Sequence, residues 1–148
     1  MNENELIVSK EYGLGSFSKD ALSIRQTVFV EEQGIPLDLE LDDFDSRTTH
    51  YVGFTAAKPV TTARVSINDQ DNSWHIQRVA TLSEARGHGY AAKLMKTIIS
   101  DAKEAGVHKL ELGAQVPSRG FYEKLGFKPV GEPFMDAGIE HIEMTLTV

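Results

Sequence analysis

The stretch Arg86-Gly87-His88-Gly89-Tyr90-Ala91 divides two kinds of sequence. Before it, His50 to Thr55, Val60 to Ile67 and Trp74 to Thr81 read as strands. They are separated by a turn at Lys58-Pro59 and by the turn-rich run Asn68-Asp69-Gln70-Asp71-Asn72. Strands so closely linked form an antiparallel meander. After it, Ala91, Leu94, Met95, Ile98, Ile99, Ala102 and Ala105 recur at helical spacing, and Gly106 supplies a stop. Lys109 to Ala114 then alternates as a strand. A helix joins it to the Trp74 strand, so the two are expected to be parallel neighbours.

Working outward, Leu6-Ile7-Val8 reads as a first short strand. Ser18 is placed to cap a helix whose apolar face runs through Leu22, Val28 and Phe29 and which stops near Gln33-Gly34. Ser118 to Leu125 reads as a short helix stopped by Gly126. Phe127 to Phe134 and His141 to Val148 read as two last strands turned at Asp136-Ala137-Gly138. The order β-α-β-β-β-α-β-α-β-β describes an α+β fold with a mixed, mostly antiparallel sheet. No repeat, low-complexity tract or linker interrupts it, so residues 1–148 read as a single domain.

Composition narrows the function classes. Of 148 residues 41% are apolar and 25% charged, a globular balance, and the net charge of −7 argues against a general nucleic-acid binder. No apolar run is long enough to span a bilayer, and Met1-Asn2-Glu3-Asn4-Glu5 lacks the basic start and apolar middle of a secretory leader. A cytoplasmic protein without membrane partners is expected. There is no cysteine for a disulfide, a thiolate metal site or a nucleophile, and no His-x-His or His-x-x-x-His pair, so no metal is expected.

The chemistry of the dividing stretch is that of an anion cradle. Glycines let backbone amides approach closely, a helix N-terminus adds unpaired N–H groups, and Arg86 adds a charge. Gly87-His88-Gly89-Tyr90-Ala91-Ala92 also satisfies a loose G-x-G-x-x-A dinucleotide fingerprint. That fold needs a βαβαβ series, whereas a meander precedes this loop and too little chain follows it. A nucleotide P-loop fails for want of Gly-Lys-Ser/Thr. A ligand-free helix-entering turn remains the bland alternative for the loop taken alone.

Arg86-x-x-Gly89-x-Ala91 resembles the Q/R-x-x-G-x-G/A motif of the GNAT superfamily of N-acyltransferases. Arg78-Val79-Ala80-Thr81-Leu82 is similar to the strand that leads to it, and Phe121-Tyr122-Glu123-Lys124-Leu125-Gly126-Phe127 to a second hallmark. Arg25, Val28-Phe29-Val30, Glu32-Gln33, Ile35-Pro36, Glu40, Asp42-Asp43, His50 and Asp136-Ala137-Gly138-Ile139 with His141 resemble a subgroup of small bacterial GNAT proteins. The resemblance implies splayed parallel strands in the sheet centre, with acetyl-CoA as co-substrate. Its pantetheine would pair with backbone near Val79, Ala80 and Thr81, and its pyrophosphate would meet the amides of Arg86, Gly87, His88, Gly89, Tyr90 and Ala91.

It implies further that the acceptor is a primary amine, on a small molecule or a peptide, and that Tyr122 is the acid that protonates the leaving thiolate. Relatives are often dimers, which makes a homodimer an expectation of the same kind. Many relatives carry a glutamate base just before the residue matching Arg78; here Gln77 stands there, and an amide can orient a substrate or a water, as His75 beside it can bind the acceptor, but it takes no proton at neutral pH. His75, on the same side of the strand as Gln77, His50 and His141 are the remaining bases near pH 7, with His141 ranked first. Arg25 and Glu32 lie seven apart on one helix face, placed for the acceptor or for local surface contacts. Asp38 to Asp45 alternates with leucines and reads as a solvated acidic face ahead of an acceptor-pocket wall. A silent acyl-CoA-binding module and a transferase using a longer acyl-CoA are the alternative functions.

Overall fold

The computed structural model describes residues 5–148; the reading of Met1 to Asn4 lies outside them. Seven strands form one sheet in the order β1-β2-β3-β4-β5-β7-β6. They are β1 (Ile7–Tyr12), β2 (Thr49–Thr55), β3 (Lys58–Asn68), β4 (Ser73–Thr81), β5 (Lys109–Gln115), β6 (Lys128–Asp136) and β7 (Ile139–Thr147). Every neighbouring pair is antiparallel except β4 and β5. The helices are α1 (Ser16–Arg25), α2 (Leu37–Glu40), α3 (Tyr90–Glu104) and α4 (Arg119–Lys124). The expected strand and helix order is therefore present, with α2 added in the acidic segment.

Period-2 alternation divides the sheet into two faces, and each collects its own core. On one, α3 sets Leu94, Met95, Ile98 and Ala102 against Tyr51, Val65, Ile76, Leu110, Leu112 and Met144. On the other, α1 and the helical turns that continue it over Gln26–Glu32 set Ala21, Ile24, Val28 and Phe29 against Val52, Val60 and Ala80. Full burial of each large aliphatic is worth about 2 kcal/mol, so these stripes hold the helices in place. The second face is covered over β1 to β4, which leaves the same face of β5 and β7 open for a site.

Three local expectations are corrected. Helix α1 starts three residues earlier than the Ser18 cap implied. Gly15 is its N-cap and Ser18 lies inside the first turn, where its hydroxyl accepts from the Gly15 N–H at 2.8 Å and donates to the Gly15 carbonyl at 2.9 Å. The helix continues as a π-helix over Gln26–Glu32, where the Gln33 N–H reaches the Val28 carbonyl at 3.1 Å. The wider turn shifts the buried face to Ile24, Val28 and Phe29 and leaves Leu22 partly exposed. The turn between β2 and β3 falls on Ala56 and Ala57, both at positive φ, and Lys58-Pro59 instead begins β3. Between β6 and β7 the expected turn holds, with Ala137 and Gly138 at positive φ.

Candidate active site

β4 and β5 pair only from Ser73 with Lys109 to Ile76 with Leu112. The cause of the break is on the other edge of β4. Thr62 of β3 faces Ala80 and Arg64 faces Gln77, so Ala63 alone opposes Arg78 and Val79. This is a β-bulge, and Arg78 sits at its centre with φ 57°. A bulge bends its strand and increases its twist, and here it swings Val79, Ala80 and Thr81 away from β5. A cleft of about 860 Å³ opens along this gap and reaches both faces of the sheet. Val79, Ala80, Thr81, Arg86 and Ala91 line it, as do Tyr122, His75, Gln77, Glu32 and His141.

The glycine-rich loop stands at the head of the gap. Gly87 and Gly89 have φ of 83° and 77°, left-handed values that glycine adopts without penalty. Gly89 is the N-cap of α3. Among the described residues, the backbone N–H groups of Gly87, His88, Gly89, Tyr90 and Ala91 have no protein partner. Five free donors at the positive end of a 15-residue helix suit an anion such as a pyrophosphate. His88 stacks on Tyr90 with ring centroids 5.3 Å apart, and its Nδ1–H is within reach of the Ala85 and Arg86 carbonyls at 3.1 Å each. Arg86 is held by Glu32 through two hydrogen bonds of 2.7 and 2.8 Å, and by the Thr81 carbonyl at 3.0 Å. Those bonds keep the Glu32 carboxyl below the ordinary glutamate range.

The acidic segment is arranged opposite to its expected form. Its leucines face out, with Leu39 55% exposed, while Glu40 is 3% exposed. Glu40, Asp42 and Asp45 meet three arginines. Arg25 Nε lies 2.5 Å from Glu40, and Arg25 Nη1 lies 2.9 Å from Asp45. Arg64 reaches Asp42 at 2.8 Å and Asp45 at 2.9 Å, and Arg78 reaches Glu40 at 2.9 Å and Asp42 at 3.3 Å. The alternation was legible but its direction was not. Exposing a leucine costs about 2 kcal/mol, less than leaving a buried guanidinium unpaired. Burial alone would raise the Asp42 and Asp45 carboxyls, but the hydrogen bonds and charges of Arg64, joined at Asp45 by Arg25, outweigh it and hold both below the ordinary range.

The expected acceptor residues Arg25, Glu32, His75 and Gln77, and the candidate base His50, are thereby placed. Arg25, 1% exposed, is committed to this network and is absent from the cleft wall, while Glu32 is on the wall. Gln77 is on the wall with its side-chain oxygen accepting from Arg64. His75 is on the wall 3.7 Å from Glu111. His50 is buried beneath the acidic segment, where its Nε2–H donates to the Asp45 carbonyl at 2.8 Å.

Tyr122 comes to the cleft from the α3 side. It is buried edge-on between Phe121 and Phe127, with centroids 5.0 and 6.0 Å away. That burial pushes its phenol far above the usual range, so it stays protonated and can donate. His141 comes from the opposite face. Its Nδ1–H donates to the Ile139 carbonyl at 2.7 Å, which leaves Nε2 as the acceptor nitrogen, and the ring stacks on Phe134. Glu143, which the sequence did not single out, shares this wall. Ile142 and Met144 are buried in the α3 core, so Glu143 must point to the other face. Burial raises its carboxyl above the ordinary range and Glu111 adds to this, against the pull of His75 and Lys109. Its position within an alternating strand gave no sign of which polar face met a cleft. Among the described residues, no group of three or more His, Cys, Asp and Glu side chains is arranged to hold a metal ion, and no helix is long and apolar enough to cross a membrane.

Comparison with known proteins agrees with this geometry. The family described as acetyltransferase (GNAT) domain matches residues 24–148. The uncharacterized N-acetyltransferase YjcF of Bacillus subtilis is 33% identical over 127 residues, which cover 85% of this chain and 89% of YjcF. Protein ElaA of Escherichia coli is 32% identical over 151 residues, covering 100% and 94%. Among solved structures, an acyl-CoA N-acyltransferase from Pseudomonas aeruginosa superposes with a TM-score of 0.83 at 26% identity, covering 95% of this chain and 99% of the other. From the open β4–β5 gap, the unpaired amides above it and the match over residues 24–148, the chain belongs to the GNAT acetyltransferase family.

Proposed function

We propose that the protein, as one domain spanning residues 1–148, transfers an acetyl group from acetyl-CoA to a primary amine by direct attack. The observation that carries the reading is the row of free amides from Gly87 to Ala91 at the head of a gap where two parallel strands stop pairing. The amides would hold the pyrophosphate. The unpaired edge from Val79 to Thr81 would take the pantetheine amides, which leads the thioester down the gap toward Gln77 and Gly113. The donor's chemistry is to present an activated carbonyl with a thiolate leaving group.

The chain's own groups fit the two proton movements. Tyr122, protonated at neutral pH, donates a hydrogen bond to the developing thiolate and thereby stabilises it. On the opposite wall His141 Nε2 and Glu143 can accept a proton from the amine. Glu143 and Asp136 give this wall a negative character that suits an ammonium group arriving from solution.

The test is thiol release from acetyl-CoA, and from a longer acyl-CoA, with propylamine, phenethylamine, cadaverine and Nα-acetyl-lysine amide. Release with at least one amine and acetyl-CoA is expected. Tight acetyl-CoA binding without release for any amine would favour the silent module, and release only with the longer donor would correct the acyl group.

A further inference from the structure

The bases on the β7 wall are not equivalent, and the pairing register separates them. Leu112 is the last β5 residue paired with β4, so Gly113 is the first at the apex of the gap. Glu143 is the β7 partner of Gly113, whereas His141 is the partner of Gln115, two residues nearer the mouth. Gly113 contributes no side chain. The Phe134 ring comes within 3.4 Å of where its Cβ would stand, and so forms the wall of the apex.

Of the other acids in this region, Asp136 stands at the β6–β7 turn, seven residues along the chain from Glu143, and the glutamates are engaged. Glu32 holds Arg86, Glu40 holds Arg25 and Arg78, and Glu111 lies 3.7 Å from His75 and 3.4 Å from Lys109. Glu143 is half-buried, faces the cleft, and has no hydrogen bond or ion pair among the described residues. The charged and titratable groups facing it are His75 from β4, Lys109 and Glu111 from β5, Asp136 from β6 and His141 from its own strand. Its carboxyl titrates above the ordinary glutamate range, which suits a group that must take a proton near neutrality.

We infer that Glu143 is the general base, taking the ammonium proton from the acceptor at the apex of the β4–β5 gap. This rests on the acetyltransferase reading. The ammonium gives one proton to the Glu143 carboxylate, and the freed nitrogen pair forms the C–N bond. As the C–S bond breaks, its electron pair leaves on sulfur. The nitrogen loses its second proton and the sulfur gains one. Glu143 then returns its proton to solvent through the open cleft. The base has thus moved from the strand bearing Gln77 to a strand on the far side of the gap, which accounts for an amide standing at position 77.

The experiment is the pH profile of thiol release from acetyl-CoA, with the most reactive amine of the panel above, for the native protein, E143Q, E143D and H141Q. Acetyl-CoA affinity is measured alongside by calorimetry. E143Q is expected to lower kcat about 100-fold and to abolish the acidic limb of the profile, with acetyl-CoA affinity within about twofold of native. E143D should keep the limb at a reduced rate, and it decides the matter if E143Q does not fold. H141Q should keep the limb. Native rate and limb in E143Q, or loss of the limb in H141Q alone, overturns the assignment. Absence of release by the native protein with every amine overturns the transferase reading instead, and this inference with it.

Discussion

Arg78 Nε lies 2.9 Å from Glu40 Oε2, and Arg78 is the residue whose left-handed backbone, φ 57°, turns β4 away from β5. A non-glycine residue in that region costs about 1 kcal/mol. The side chain offsets the cost by reaching Glu40 and Asp42 and by donating to the Glu40 carbonyl at 3.2 Å. The acidic segment therefore anchors the bulge that opens the gap, and Glu40 itself stands on the cleft wall.

Glu40→Gln should destabilise the fold by about 3 kcal/mol, because it leaves the buried Arg25 and the half-buried Arg78 short of a counter-charge. Urea unfolding at pH 7 measures this. A loss below about 1 kcal/mol would mean that the pair is no stronger than a surface bridge.

The same network should make the protein acid-labile. Asp42 and Asp45 have folded pKa values below their unfolded ones, so their contribution is complete above the unfolded value of about 3.9. It is lost as the pH falls through that value and on through the lower folded values. Unfolding at pH 7, 5, 4 and 3 should show a steep loss between the last two. Glu143 runs the other way: its raised carboxyl disfavours the folded state as the pH climbs above the ordinary glutamate value, so E143Q should be no less stable than native at pH 7.

The Arg86 side chain is shared between the Thr81 carbonyl and Glu32. Glu32→Gln removes one charge from a bridge whose two side chains are both about two-fifths exposed, an interaction worth under about 1 kcal/mol. Freed, the guanidinium is available to the pyrophosphate, and acetyl-CoA should bind about threefold more tightly by calorimetry. Weaker binding would mean that the bridge holds Arg86 in its working position.

Tyr122→Phe should lower turnover about 10- to 100-fold and leave acetyl-CoA affinity within about twofold, since the ring packing against Phe121 and Phe127 is kept. Unchanged turnover would remove the phenol from the proton balance.

The features that were readable in sequence are those set by short-range rules. Gly89 and Gly106 bracket α3 because left-handed φ values bound it on both sides, and the meander follows from its turns. Features set by tertiary balance were not readable. The alternation from Asp38 to Asp45 is the same whether acids or leucines face inward, and only the three arginines converging from α1, β3 and β4 decide it. Glu143 sits in a pattern that reads alike for a solvent face and a cleft wall. Arg78 has no feature in sequence that marks a positive φ; its two acidic partners lie more than 35 positions away.

The central claim is that the gap between β4 and β5, with the loop above it, holds acyl-CoA. It is tested most directly by titrating acetyl-CoA into ¹⁵N-labelled protein and following each backbone amide. The account predicts that the largest shifts fall on Gly87 to Ala91, followed by Val79 to Thr81 and the facing residues Gly113 to Gln115. Unmoved loop amides at millimolar acetyl-CoA, or shifts confined to the lysine-lined groove of Lys96, Lys103 and Lys124 between α3 and α4, would contradict it.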